Sequence, residues 1–217
     1  MKRYRLLLVT TFTLTAALSL CGCGKNGNAT ETTDAPDAAD APDATGKTVV
    51  MIIAPQKFRD EELFDTKKVL EDAGATVKVA STSLDEATGM LGGTVTPDIL
   101  VKDVKVADFD AVLFIGGSGA SVYWDDATAH AIAKDTVKAN KILGAICIAP
   151  VTLAKAGVLK DKNATVWKSE KQKLEDAGAT YTGAAVEVDG KIITANGPKA
   201  AKQFGRAIAN ALAVADE

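Results

Sequence analysis

From residue 48 onward, short uninterrupted apolar runs alternate with longer stretches whose apolar positions recur every three or four residues. The runs are strands covered on both faces, and the stretches are helices that bury one stripe. The runs predict strands over residues 48–54, 76–80, 111–115, 142–146 and 164–167. The stretches predict helices over 61–73, 127–139, 149–156, 169–177 and 199–214. Gly74 and Gly157 are placed to end two of these helices, and Pro150 lies near the start of another, where its missing N–H is tolerated. Residues 185–195 predict a hairpin turning at Asp189-Gly190. The rhythm breaks over 90–95 and 99–106, which predict short antiparallel strands at a sheet edge around Gly92-Gly93. Strand–helix alternation of this kind specifies an α/β domain with a mainly parallel sheet and helices on both faces. The segment Leu70-Glu71-Asp72-Ala73-Gly74-Ala75-Thr76 returns as Leu174-Glu175-Asp176-Ala177-Gly178-Ala179-Thr180. Unlike elements separate the copies, so they are two helices with the same glycine stop, not a repeat architecture.

The first 46 residues follow neither pattern. Met1-Lys2-Arg3-Tyr4-Arg5 is positively charged, and residues 6–20 are apolar or uncharged. That run is shorter than the ~20 apolar residues of a spanning helix and ends in small residues and cysteine, which predicts an export signal over 1–22. Leu20-Cys21-Gly22-Cys23 resembles the lipobox of bacterial lipoproteins. Small Gly22 before Cys23 makes Cys23 the expected lipid acceptor; Cys21 is the alternative, with bulky Leu20 at the cleavage point. Several acyl chains on one cysteine meet the requirement for stable anchoring. Residues 23–46 are rich in Ala, Asp, Thr and Pro, and they predict a lipidated N-terminus followed by a disordered tether. The expected location is extracytoplasmic, lipid-anchored to a bacterial membrane, with the anchor as the only membrane contact.

Residues 47–217 then form one domain. Without residues 1–22 the chain has 22 basic and 28 acidic residues, a balance that argues against a nucleic-acid partner. One cysteine, Cys147, and one histidine, His130, remain in the domain. This excludes an internal disulfide and leaves no metal-ligand spacing. In an open α/β sheet, ligands bind beyond the carboxyl ends of central strands. There Gly144-Ala145-Ile146-Cys147-Ile148-Ala149-Pro150 sets a cysteine on a tight strand-to-helix junction, the arrangement of a nucleophile elbow. The new helix's amides predict a lowered thiol pKa, in the range ~3.5–7.5. A small buried apolar cysteine satisfies the same septet.

That septet, the following Leu153-Ala154-Lys155-Ala156-Gly157-Val158-Leu159, the segment Phe58-Arg59-Asp60-Glu61-Glu62-Leu63, the loop Phe114-Ile115-Gly116-Gly117 and Asn196-Gly197-Pro198 together resemble the ThiJ/PfpI family. That family includes intracellular-protease-like proteins and the Parkinsonism-associated deglycase. The resemblance implies a flavodoxin-like three-layer sandwich of the class I glutamine amidotransferase-like type. It implies Cys147 as the reactive cysteine and Glu62 as the glutamate bonded to its sulfur, with Glu61 the competitor one residue away. It further implies Gly117 and Ile148 as backbone oxyanion donors, no cofactor or metal, a small-molecule substrate or oxidant as partner, and homodimers as common. Two departures matter. Ile148 stands where protease-like members have histidine, and Trp167 stands near the place of the deglycase histidine. His130 falls in a helix away from the elbow, so a Cys–His pair is not expected and peptidase chemistry is disfavoured. The resemblance leaves glyoxalase- or deglycase-type chemistry on reactive carbonyls, cysteine-based oxidative protection, and a non-catalytic binding domain.

Overall fold

The computed structural model describes residues 42–214. The predicted signal, Cys21, Cys23 and most of the predicted tether lie outside the described residues. Strand β1 (Thr48–Ile52) and a short β2 (Gln56–Phe58) precede helix α1 (Asp60–Asp72). Next come β3 (Thr76–Ser81), β4 (Ala87–Gly89), β5 (Thr94–Val95), β6 (Ile99–Leu100) and β7 (Ala111–Phe114). Helix α2 (Ala127–Lys138), β8 (Ile142–Ile146) and α3 (Pro150–Lys155) follow. The chain then forms β9 (Asn163–Ala164), α4 (Lys171–Asp176), β10 (Thr180–Tyr181), the hairpin β11 (Val186–Asp189) and β12 (Ile192–Ala195), and α5 (Ala201–Ala213).

Seven strands form the central sheet in the order β11-β12-β8-β7-β1-β3-β6. Every pairing is parallel except the β11–β12 hairpin at one edge. Successive side chains of β1 serve opposite faces. Val49 and Met51 join Leu113, Ile146 and Phe204 beneath α1 and α5. Val50 and Ile52 join Val112, Phe114 and Leu143 beneath α2 and α3. Helix α5 buries Ala201, Phe204, Ile208 and Leu212, a stripe at helical spacing. Each large side chain so removed from water contributes on the order of 2 kcal/mol. The expected three-layer α/β architecture is therefore the observed one. β1 lies between β3 and β7, so the chain's path reverses direction beside it, and a crevice opens at the carboxyl ends of β1, β7 and β8.

Three local expectations need correction. Residues 99–106 are not antiparallel: β6 pairs parallel with β3, and residues 101–103 and 106–108 form 3-10 turns. Asp98 fixes this register, its carboxylate accepting from Val79 N at 2.7 Å while its own N–H donates to Val79 O at 2.8 Å. The antiparallel turn around Gly92-Gly93 does form, between β4 and β5, but in a separate three-stranded sheet with β2. The run 164–167 yields strand only at its start, because Thr165 leaves the ladder. Its N–H donates to Thr194 Oγ1 and its hydroxyl donates to Ala184 O. Finally, the last predicted tether residues pack on the domain. Ala44 is fully buried, and its N–H donates to Ala73 O at 2.7 Å.

Candidate functional site

Cys147 directly follows β8 and adopts φ 62°, the left-handed region that costs a side-chain-bearing residue about 1–2 kcal/mol. Its backbone is pinned on both sides: its N–H donates to Ala195 O at 2.9 Å, and its carbonyl accepts from Trp167 N at 2.8 Å. The turn thus holds the thiol at the floor of a cleft of about 520 Å³. The amides of Gly117 and Ile148 favour the charged form of the sulfur, and these are the positions at which the resemblance places its oxyanion donors.

The opposite side of the floor comes from the first turn of α1. Glu62 is fully buried beside Cys147, and its Oε2 accepts from Gly116 N at 3.1 Å. Its other oxygen, Oε1, is buried and has no nitrogen or oxygen partner among the described residues. Glu61 faces away and pairs with Arg59. Burial therefore separates two glutamates that the sequence leaves equivalent. Gly116 is the third member of the floor. A Cβ there would lie 2.5 Å from Cys147 Cβ and 2.6 Å from Glu62 Oε2, so only glycine lets the two side chains meet. Gly117, at φ 95°, sits against the backbone of residues 57–59, and a Cβ would lie 2.4 Å from Arg59 N.

Burial pushes the Glu62 carboxyl up to about 8, against the pull of the Cys147 and Gly116 hydrogen bonds. Burial first, and then the charge of an ionised Glu62, push the Cys147 thiol up to about 12; the Gly117 and Ile148 amides pull the other way. The lowered thiol expected from a helix N-terminus is not what the structure gives. Helix α3 has six residues and starts three positions after the cysteine, too little dipole to offset desolvation. The pair titrates as one unit, shedding a first proton near 8 and holding the second to about 12. In the intermediate form one proton lies between carboxyl and sulfur. With that proton on Glu62, the thiolate has three donors: the carboxyl O–H and the two amides.

The rim was not legible from pattern. Trp124, Trp167, Met90 and Arg59 line its walls, and Ser118, Ser121 and Ser169 supply hydroxyls. Trp124 Nε1 donates to Ile148 O at 3.2 Å, tying the wall to the residue after the cysteine. His130 does not line the cleft; its Nε2 meets Trp124 O at 2.9 Å and supports that wall from behind. Buried Asp60 accepts from Leu91 N and Gly93 N, which fixes the loop carrying Met90. Among the described residues, no three His, Cys, Asp or Glu side chains group as a metal site, and no helix is long and apolar enough to cross a membrane.

The fold is an open, mainly parallel α/β sheet with helices on both faces, and Cys147 stands on the turn after a central strand, beside the buried Glu62. The chain belongs to the DJ-1/PfpI family, whose model matches residues 47–211. An uncharacterized protein of Methanocaldococcus jannaschii is 41% identical over 76% of this chain and 82% of its own length. A glutathione-independent glyoxalase of Caenorhabditis elegans is 28% identical over 76% of this chain and 89% of its own. A deglycase of Thermococcus kodakarensis and a putative cysteine protease of Bacillus subtilis are each 32% identical, over 69% and 75% of this chain and 90% and 97% of their own lengths. The crystal structure of a ThiJ/PfpI domain protein from Brachyspira murdochii superposes with a TM-score of 0.75 at 36% identity, covering 76% of this chain and 95% of that one.

Proposed function

We propose that the cleft is a cofactor-independent site for small reactive carbonyls, with glyoxalase- or deglycase-type chemistry carried by Cys147 and Glu62. The observation that carries this reading is the buried contact between the two side chains at an elbow that offers two amides. Sulfur adds to the carbonyl carbon, the C=O π pair moves to oxygen, and that oxygen rests on the Gly117 and Ile148 amides. The thiol proton passes through Glu62 to the oxygen, giving a hemithioacetal with no atom unaccounted for. With methylglyoxal, Glu62 next moves the aldehyde hydrogen as a proton to the neighbouring carbon, and the hemithioacetal hydroxyl proton passes to that carbon's oxygen, leaving a thioester. Water releases this as lactate, so the oxidation of one carbon balances the reduction of the other. Turnover of methylglyoxal to lactate by the full chain, lost in Cys147→Ser, tests the reading; a folded protein without turnover refutes it. With no histidine at 148 or 167 and His130 outside the cleft, a peptidase mechanism has no evident base for water.

The unpartnered Glu62 Oε1 favours a second reading, oxidative protection. Two equivalents of peroxide convert the thiol to a sulfinic acid with release of two waters, and a protonated Glu62 would donate to the product. Selective mass gain on Cys147 at low peroxide, without carbonyl turnover, would choose this reading over the first. Export and lipid attachment through Cys23 belong to the same proposal. Cells fed radiolabelled palmitate should label the wild-type chain and not Cys23→Ala; label retained in that variant refutes Cys23 as acceptor.

A further inference from the structure

The cleft's charge pattern bears on which carbonyl compounds it accepts. Of the described side chains lining it, Arg59 is the one cation and Glu62 the one acid. Glu62 lies at the floor and keeps its proton at neutral pH, so the charge offered to a ligand is that of the guanidinium.

Arg59 is built into the site. Its N–H donates to Gly116 O at 3.0 Å, so its backbone is rooted in the loop that supplies one oxyanion amide. Its side chain is mostly buried and held by Glu61, with Nη2 donating to Oε1 at 2.9 Å and Nε lying 2.8 Å from Oε2. The second contact has ion-pair distance but lacks hydrogen-bond alignment, which leaves the buried Nε–H without an acceptor. A guanidinium has five N–H donors in a rigid fork, so this hold fixes the group while leaving donors over. Glu61 does not line the cleft, and its side chain is more exposed than that of Arg59. The other lining side chains include the aromatic Trp124 and Trp167, and the serine hydroxyls are neutral. No lining group repels an anion.

We propose that the cleft selects carbonyl compounds bearing a carboxylate, which Arg59 receives while the carbonyl carbon faces Cys147. The inference rests on the carbonyl reading of the site and names its substrate class: short 2-oxoaldehydes whose other end carries a carboxylate, such as 4,5-dioxopentanoate. Arg59 is a binding and specificity residue in this account, because it touches the end of the substrate that does not react.

Binding can be read without turnover. The chain's two tryptophans both line the cleft, so fluorescence of the full-length Cys147→Ser protein reports its occupancy. Glycolate and its neutral isostere glycolamide are the probes. Glycolate should bind at least ~10-fold tighter, as expected for a charge-assisted Arg–carboxylate contact. The preference should fall to within about twofold in Arg59→Met on that background and be partly restored by Arg59→Lys. Equal binding of the two probes overturns the proposal before any Arg59 variant is made, so a misfolded variant cannot shelter it. A preference that survives in folded Arg59→Met overturns it as well. Turnover separates the two proposals. A carboxylate preference with no aldehyde consumed by the wild type leaves the specificity standing and removes the reaction. Methylglyoxal turnover by a cleft blind to the probe's charge does the reverse.

Discussion

The floor and the rim of the cleft are built on opposite principles. The floor residues Glu62, Gly116 and Cys147 are buried and packed so closely that one added methyl would not fit. The rim side chains Arg59, Met90, Trp124 and Trp167 are partly exposed, and the polar contacts of the first three are of ordinary length. Glu61 and Glu62 make the contrast in adjacent positions: one forms an ion pair in partial contact with water, the other is pushed up to about 8 by burial. On the proposed function, desolvation sets the chemistry of the floor, and the rim selects the molecules that reach it. Floor substitutions should act on kcat and stability, and rim substitutions on KM.

The largest effect belongs to Gly116→Ala, whose methyl overlaps both Cys147 and Glu62. Turnover should vanish, and thermal unfolding should show a loss of about 1–3 kcal/mol from overpacking. Next comes Glu62→Gln, which removes the proton carrier and should lower kcat/KM by ~10²–10⁴. In the wild type kcat/KM should rise through pH about 8 as the pair loses its first proton, and this limb should be missing in the variant. The same substitution sharpens the contrast through stability. A carboxyl whose pKa is raised on folding stabilises fully below its unfolded value, and that stability is lost as pH rises towards the folded value. The wild type should thus lose a few kcal/mol between about pH 4.5 and 8, and melting curves of Glu62→Gln should be flatter there. At the rim, His130→Ala frees Trp124 O and should raise KM less than ~10-fold with kcat unchanged. A large kcat loss there would break the division between floor and rim.

Much of this was legible in the sequence. The continuous apolar runs over 48–54, 111–115 and 142–146 could only be strands buried on both faces, and they form the centre of the sheet. Cys147 was legible because an elbow needs small neighbours and a turn at fixed spacing. The repeated Leu-Glu-Asp-Ala-Gly-Ala-Thr shows the limit. Both copies stop their helices identically, with Gly74 N donating to Glu71 O and Gly178 N to Glu175 O. Yet one stop feeds the long β3 in the main sheet, and the other the two-residue β10 in a small one. Local sequence sets the stop; distant partners such as Asp98 and Thr194 decide strand length and direction. The rim was hidden for a related reason. Arg59, Met90, Trp124 and Trp167 come from four separate segments and meet only in the folded chain.

The central claim is that Cys147 and Glu62 share a proton, and the alkylation rate of Cys147 against pH tests it most directly, in the wild type and in Glu62→Gln. The account predicts a step in the wild-type rate near pH 8, where the pair loses its first proton, and its absence in the variant, which should show a single rise at higher pH. Identical profiles in the two proteins, with one midpoint at the ordinary thiol value of ~8.5, would contradict it.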